Sequence, residues 1–188
     1  AIDTNHVFIG SSSGALRCID RSSGKLLWQN DFRRSEHRFL GFVGKIHLLP
    51  EQQLIFARYD GYIAKISYQD SNPKVLWETN LNRYIANWTI TENSMYIGLQ
   101  DGAVMARSSR DGTILWEKNL GSSINWLTST DKSLYATSTD GLIVSMSVRS
   151  GKIKWHDNVG SLINSKPYLT QDQIHFVTRH NNIYSYRR

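Results

Sequence analysis

Six histidines, one cysteine and four aspartates that stand directly before glycine are the side chains of this 188-residue chain best suited to chemistry. Histidines, cysteines and carboxylates hold zinc when they recur at short fixed spacings. His6, His37, His47, His156, His175 and His180 show no such spacing. His156 and Asp157 are adjacent, and a base with an orienting acid would need them to face each other. In a strand, neighbouring side chains point to opposite faces. Asp60, Asp101, Asp111 and Asp140 each precede glycine, which is turn chemistry rather than acid–base chemistry. Those glycines are thereby taken by hairpins, and no phosphate-binding glycine loop remains. Cys18 sits in an apolar run, reads as a small buried residue, and as the sole cysteine excludes an internal disulfide. Asn87-Trp88-Thr89 fits a glycosylation sequon, a three-residue match of low specificity. No catalytic, metal-binding or cofactor-binding set is expected.

What these residues punctuate is a repeat. Four segments, Gly14 to Trp28, Gly61 to Trp77, Gly102 to Trp116 and Gly141 to Trp155, each run from a turn glycine through a mostly apolar stretch and a second turn to a tryptophan. The Trp-to-Trp intervals are 49, 39 and 39 residues, so the unit is about 40 residues, the length of a four-stranded propeller blade. Alternation and turn signals give four strands per unit. In the third unit they are Tyr84 to Thr91, Met95 to Gly98, Val104 to Ser108 and Ile114 to Lys118. The fourth repeats them at Ile124 to Thr130, Leu134 to Thr137, Ile143 to Val148 and Ile153 to Asp157. Asp101-Gly102 and its equivalents are expected to form primed hairpin turns.

The first unit shows three strands after a stub at Ala1–Asp3. The last offers Asn164 to Leu169, Ile174 to Thr178 and Ile183 to Arg187. The expected fold is therefore all-β, a β-propeller of about five four-stranded antiparallel blades with the first and last incomplete, over a single domain, residues 1–188. A ring removes exposed strand edges by closing. Five blades in one chain, a monomeric ring, is the simplest arrangement; the alternative is an open fragment completed by further sequence. Ala1–Gly10 lines up with Thr89–Gly98, which reads as part of a longer polypeptide.

From Trp28 to the next hairpin glycine, Gly61, the spacing is 33 residues against 25 in the next two units, so eight extra residues sit around Asp31 to Leu40, in the basic stretch Phe32-Arg-Arg-Ser-Glu-His-Arg-Phe-Leu40. Insertions in repeat arrays fall in loops, and loops often carry function. Arg33, Arg34 and Arg38 are accordingly candidates for partner contact, against a plain solvated connection. A formal charge of +6 invites nucleic acid as a ligand. No stacking platform interleaves with the arginines, so that class is set aside. No apolar run is long enough to span a membrane.

At the second turn of each unit the residues resemble a known family. Cys18-Ile-Asp20-Arg-Ser-Ser-Gly24-Lys25-Leu-Leu-Trp28 is similar to the repeat of the quinoprotein-like (PQQ-repeat) β-propellers: a small residue, an Asp two further on, a Gly-Lys turn and a closing Trp. Ala106 to Trp116 and Ser145 to Trp155 repeat it, with Ser108 and Ser147 in place of the Asp. The second unit departs, with Lys65 at the small position and two extra residues before Trp77. The tryptophan ring is expected to dock between blades, burying roughly 150–250 Å². Dehydrogenases of this family use eight blades and a disulfide of adjacent cysteines over the cofactor. A single cysteine cannot supply that disulfide, so no cofactor is expected.

Among non-catalytic relatives, the chain resembles the BamB-type propellers of outer-membrane β-barrel assembly. That resemblance implies a non-enzymatic scaffold for protein partners in the bacterial periplasm or cell envelope, here with about five blades instead of eight. Asn87-Trp88 and Asn125-Trp126, with Asn164-Ser165 in the next unit, recur on first strands. Trp88 and Trp126 are candidate partner-binding hot spots, the alternative being that they pack between inner strands. A second functional class stays open, a sensory or ligand-binding propeller domain of a larger receptor, kinase or enzyme.

Overall fold

The computed structural model describes residues 1–32, 40–69, 72–91 and 93–188. They form strands and turns with no helix, and the strands fall into five antiparallel sheets in which sequence neighbours pair. The first sheet holds β1 (His6–Gly10), β2 (Leu16–Asp20) and β3 (Leu26–Asn30). The second holds β4 (Phe42–Leu49), β5 (Gln53–Arg58), β6 (Tyr62–Ser67) and β7 (Lys74–Asn80). The third holds β8 (Ile85–Ile90), β9 (Ser94–Leu99), β10 (Ala103–Ser108) and β11 (Ile114–Asn119). The fourth holds β12 (Ile124–Ser129), β13 (Ser133–Ser138), β14 (Leu142–Ser147) and β15 (Ile153–Asn158). The fifth holds β16 (Tyr168–Leu169), β17 (Gln173–Val177) and β18 (Ile183–Arg187). These are the blades of a β-propeller, about five in number, with three strands in the first and last. The chain divides into two compact units, Ala1–Ile85 and Ala86–Arg188.

The middle strands of the second, third and fourth sheets are buried on both faces, which is why Gln-Leu-Ile-Phe-Ala-Arg (β5) and Ser-Leu-Tyr-Ala-Thr-Ser (β13) carry apolar or small residues almost throughout. Outer strands alternate or lie exposed, as in β11. Unit 1 is built on Phe8, Leu16, Cys18, Trp28, Phe32, Leu54, Phe56 and Tyr62. Unit 2 is built on Tyr96, Val104, Leu127, Leu134, Val144 and Met146, continued by Tyr135, Ile143, Ile174 and Phe176.

The expected primed turns take a different form. Gly102 N–H donates to the Leu99 carbonyl at 3.2 Å, and only the glycine has positive φ, +92°. This is a three-residue connection closed by a left-handed glycine, not a two-residue primed turn. The Asp101 carboxylate accepts the Ala103 N–H at 3.1 Å, so its work is to start the next strand. A Cβ on Gly102 would stand 2.8 Å from the Ser122 nitrogen, so the turn lies against the connection into β12. The β4–β5 connection has two successive left-handed residues, Glu51 (φ 59°) and Gln52 (φ 50°), where no Asn-Gly advertised it.

The strand expected at Asn164 to Leu169 is shorter. Pro167 lacks an N–H, and only Tyr168–Leu169 pairs regularly with β17. Ahead of it, Asn164 N–H reaches the Val177 carbonyl at 2.9 Å and the Ser165 hydroxyl takes the Val177 N–H at 2.8 Å.

Candidate functional site

The apolar strand β5 ends on a charge, Arg58, which is 1% exposed, and two residues later the chain turns at Asp60, 2% exposed. Arg58 Nε donates to Asp60 Oδ1 at 3.1 Å and Nη2 donates to Oδ2 at 2.7 Å, a two-point ion pair. The guanidinium lies 4.6 Å from the centre of the Tyr62 ring. Its Nη1 donates to the carbonyl of Phe32 at 2.8 Å, and the Phe32 ring is buried 5.3 Å from Phe56. Phe32 opens the basic stretch of the insertion, directly before Arg33. On the far side, Leu40 lies against Gly14: a Cβ there would sit 2.9 Å from Leu40 Cβ and 3.2 Å from Arg58 Nη1. The Phe32 end of the insertion is therefore bonded to the buried guanidinium, and the Leu40 end packs against Gly14.

Beside this clamp opens a cleft of about 370 Å³ lined by Ser12, Gly41, Phe42, Val43 and Tyr59. The Phe42 ring lies on Gly10, where any Cβ would collide with it. Tyr59 stacks on Tyr84 at 5.0 Å and 27°, and Tyr84 is 45% exposed. The strand that supplies Phe42 and Val43 is irregular. Pairing jumps from Val43↔Ala57 to His47↔Ile55, so residues 44 to 46 stand outside the ladder, with Gly44 left-handed at φ 64° and Lys45 exposed. Bulges of this kind re-aim side chains at functional edges.

Of the residues singled out from the sequence, Arg33, Arg34 and Arg38 lie outside the described residues. Trp88 lies in β8 at 4% exposure. Trp126 is half-buried on β12, beside a register shift between Ile124 and Trp126. Asn125, in that shift, donates its side-chain N–H to the Ile163 carbonyl and so links β12 to the start of the last sheet. The repeat tryptophans are packed as expected of docking rings where the contacts are explicit. Trp116 donates to the Val148 carbonyl of the next sheet at 2.9 Å and lies over Gly151, and Trp155 stacks on Tyr186 at 5.6 Å and 16°.

Arg58 went unread in the sequence, although its signal was there: one charge ending an apolar strand, two residues before an aspartate. The turn residues Asn80, Asn119 and Asn158 went unread as well. Each accepts the backbone N–H two residues on, at 2.8, 2.7 and 2.7 Å, and each follows its repeat tryptophan by three positions.

A second cavity, about 730 Å³, belongs to unit 2. Its wall includes Lys132, Lys154, Arg187 and Arg188 with Asp131 and Asp172. Lys154 Nζ is tied to the Lys132 carbonyl at 3.0 Å and the Ser133 hydroxyl at 2.7 Å. Among the described residues no group of three or more histidines, cysteines or carboxylates is placed to hold a metal ion. Among the described residues no helix is long and apolar enough to cross a membrane.

Four-stranded antiparallel sheets, repeat tryptophans docked on the following sheet and a glycine under the ring define a PQQ-repeat β-propeller. The family described as outer membrane protein assembly factor BamB matches residues 1–188, and the chain belongs to it. Among solved structures, BamB from Moraxella catarrhalis is 16% identical with a TM-score of 0.74, covering 100% of this chain and 57% of that one. Sqt1 of Saccharomyces cerevisiae is 14% identical with a TM-score of 0.76, covering 97% of this chain and 55% of that one. A chain of the mitotic checkpoint complex is also 14% identical with a TM-score of 0.76, covering 99% and 60%. The chain thus spans somewhat over half the length of these propellers. No curated protein matches it by sequence.

Proposed function

We propose that this chain is a BamB-like protein-interaction scaffold of the bacterial cell envelope, acting in the periplasm on outer-membrane protein assembly and carrying no catalytic activity of its own. Membership of the BamB family supports the general role. The observation that carries the reading to a surface is the clamp at Arg58, which holds the Phe32 end of the arginine-rich insertion beside an apolar cleft with an exposed tyrosine stack. Scaffolds need a rigid frame and a loop held at a fixed place on it. Aromatic rings and arginines are the side chains that dominate protein interfaces.

The test is affinity capture from envelope extracts with mass spectrometry, comparing wild type with Arg33→Ala/Arg34→Ala/Arg38→Ala. A specific protein captured by wild type and lost by the variant supports the reading and places contact on the insertion. Capture by both moves the contact to Trp126 and the tyrosine stack. Capture of no protein removes the scaffold reading. The cationic cavity of unit 2 favours a second reading, a propeller that binds a small anionic ligand, and thermal-shift screening against di- and tricarboxylates and phosphates would reveal it.

A further inference from the structure

The cavity of unit 2 has a wall of cations, carboxylates and hydroxyls with no aliphatic side chain in it. We propose that it binds an anionic sugar, a hexose-sized polyol carrying one phosphate or carboxylate; this rests on the second reading above, a propeller that takes a small anionic ligand, and names that ligand's class. Small-molecule sites run from roughly 300 to 1,000 Å³, and this cavity has about 730 Å³. Its deepest wall residues are Ser133 and Tyr135 of β13, 9% and 1% exposed. The Tyr135 ring packs 6.2 Å from Trp155, and its hydroxyl has no partner among the described residues. Buried hydroxyls are ordinarily hydrogen-bonded, so this one is a donor and acceptor available at the cavity wall. Lys154 reaches in from β15. Its Nζ donates to the Lys132 carbonyl at 3.0 Å and the Ser133 hydroxyl at 2.7 Å, which fixes the ammonium and leaves one of its three N–H groups for a ligand. Arg188 donates Nη1 to the Thr170 carbonyl, and its backbone N–H bonds the Asp172 carbonyl at 2.9 Å. Lys132 and Arg187 form no ion pair among the described residues.

The charge belongs to this cavity and not to the repeat. The residue before the repeat tryptophan is Leu27, Leu76 and Leu115 in the first three repeats and Lys154 in the fourth. The corresponding groove between the third and fourth sheets keeps the serine and tyrosine as Ser94 and Tyr96. It is smaller, about 390 Å³, with Leu115 and Val148 in its wall and Arg149 as its one cation. In the cavity, four cations outnumber the two carboxylates of Asp131 and Asp172, so the wall attracts an anion. Those carboxylates and the Gln171 amide carry no side-chain hydrogen bond among the described residues, and they accept from O–H groups. A bare oxyanion would meet Asp131 and Asp172 as repulsion. A ligand with hydroxyls beside its anionic group uses them. An apolar ligand gains little here, because there is almost no hydrocarbon to bury it against.

The experiment is isothermal titration calorimetry of the whole chain, in physiological salt, with glucose 6-phosphate, glucuronate, glucose, inorganic phosphate and citrate. The variants are Lys154→Leu, which takes the residue of the other three repeats, and Tyr135→Phe, which removes only the hydroxyl; circular dichroism and thermal melting confirm that each is folded. The expected result is saturable binding of glucose 6-phosphate or glucuronate, at least about tenfold tighter than glucose, phosphate or citrate. Which of the two binds tells a phosphorylated sugar from an acidic one. Lys154→Leu should weaken that binding about tenfold or more, the loss of one charge-assisted hydrogen bond, and Tyr135→Phe by less. Glucose bound as tightly as its phosphate would leave the cations without a role and overturn the inference. Binding unchanged in both folded variants would place the ligand elsewhere and overturn it too. Phosphate or citrate bound as tightly as the sugar anions, and weakened by Lys154→Leu, keeps the anionic-ligand reading and removes the sugar. Binding of none of the five removes both.

Discussion

Arg58 and Asp60 form an ion pair through two hydrogen bonds, 3.1 and 2.7 Å, with both residues almost wholly withdrawn from water. In the fourth sheet the matching position is Ser138, whose hydroxyl bonds Asp140. A serine satisfies the turn aspartate there; an arginine does so here and also reaches 26 residues back to the Phe32 carbonyl. The longer side chain joins a turn to the base of the insertion. Arg58→Met leaves a buried carboxylate alone and should cost about 3–5 kcal/mol. Arg58→Met/Asp60→Asn removes both charges and should recover much of that loss. Urea unfolding midpoints for the two variants decide it, and a single variant as stable as wild type would reject the clamp.

Gly151 and Gly24 are both left-handed, at φ 66° and 70°, but their surroundings differ. A Cβ at Gly24 meets nothing within 4 Å, whereas one at Gly151 would lie 2.6 Å from the Trp116 ring. Gly24→Ala should therefore lose only the backbone term, about 1–2 kcal/mol. Gly151→Ala should lose more and should also displace the indole. Thermal melts give the ranking, and the near-ultraviolet circular dichroism of Trp116 should change in Gly151→Ala alone.

Much of this architecture was legible because a 39-residue repeat states the same strand pattern several times, so each turn glycine and closing tryptophan checks the others. Strand ends at Ser108, Ile114, Ile153 and Arg187 fall where alternation placed them. The misreadings are local. Asp-Gly was read as a two-residue primed turn, because dipeptide chemistry does not report how many residues the loop uses. Asn164 to Leu169 was read as one strand, because the missing donor of Pro167 weighs only once a partner strand is known. The cleft was not legible at all. It joins Ser12, Gly41 and Tyr59 from three connections with Phe42 and Val43 from the start of β4, and no periodicity links them.

Trp116 and Trp126 make opposite predictions from the same side chain. Trp116 donates its indole N–H to Val148 at 2.9 Å, whereas the buried Nε1 of Trp126 has no partner among the described residues. Trp116→Phe should lose a hydrogen bond and strand a carbonyl, costing about 1–3 kcal/mol. Trp126→Phe relieves an unpaired donor while losing some ring area, and should stay within about 1 kcal/mol of wild type. Chemical denaturation of the pair tests this, and a larger loss for Trp126→Phe would reverse the assignment.

Cys18 is 1% exposed in the core of unit 1, and burial, reinforced by Asp3 and Asp20, pushes its thiol up to about 11. The thiolate is the reactive form. At pH 8 the native protein should resist a thiol-reactive disulfide reagent and label fully within seconds in denaturant. Fast labelling of the folded chain would show that the first sheet opens readily.

Asp20 closes the second turn of the first repeat. Its Oδ1 accepts from the Ser22 hydroxyl at 2.7 Å and backbone N–H at 3.1 Å, and from the Ser23 hydroxyl and backbone N–H, both at 2.7 Å. Those donors favour the ionised form, the serine hydroxyls most, and hold the carboxyl at about 2. In the unfolded chain an aspartate titrates near ~3.9. Because the folded value is the lower one, the stabilising contribution is complete above about pH 4 and is lost as pH falls through about 2. Asp20→Asn keeps the side-chain oxygen and removes the charge. The stability difference between wild type and Asp20→Asn should be constant from pH 7 down to about 4, shrink below that, and vanish near pH 2. Urea midpoints across that range measure the difference, and a carboxyl titration by nuclear magnetic resonance locates the folded value. An Asp20 carboxyl titrating near 4 in the folded chain would mean that the serine hydroxyls turn away from it in solution.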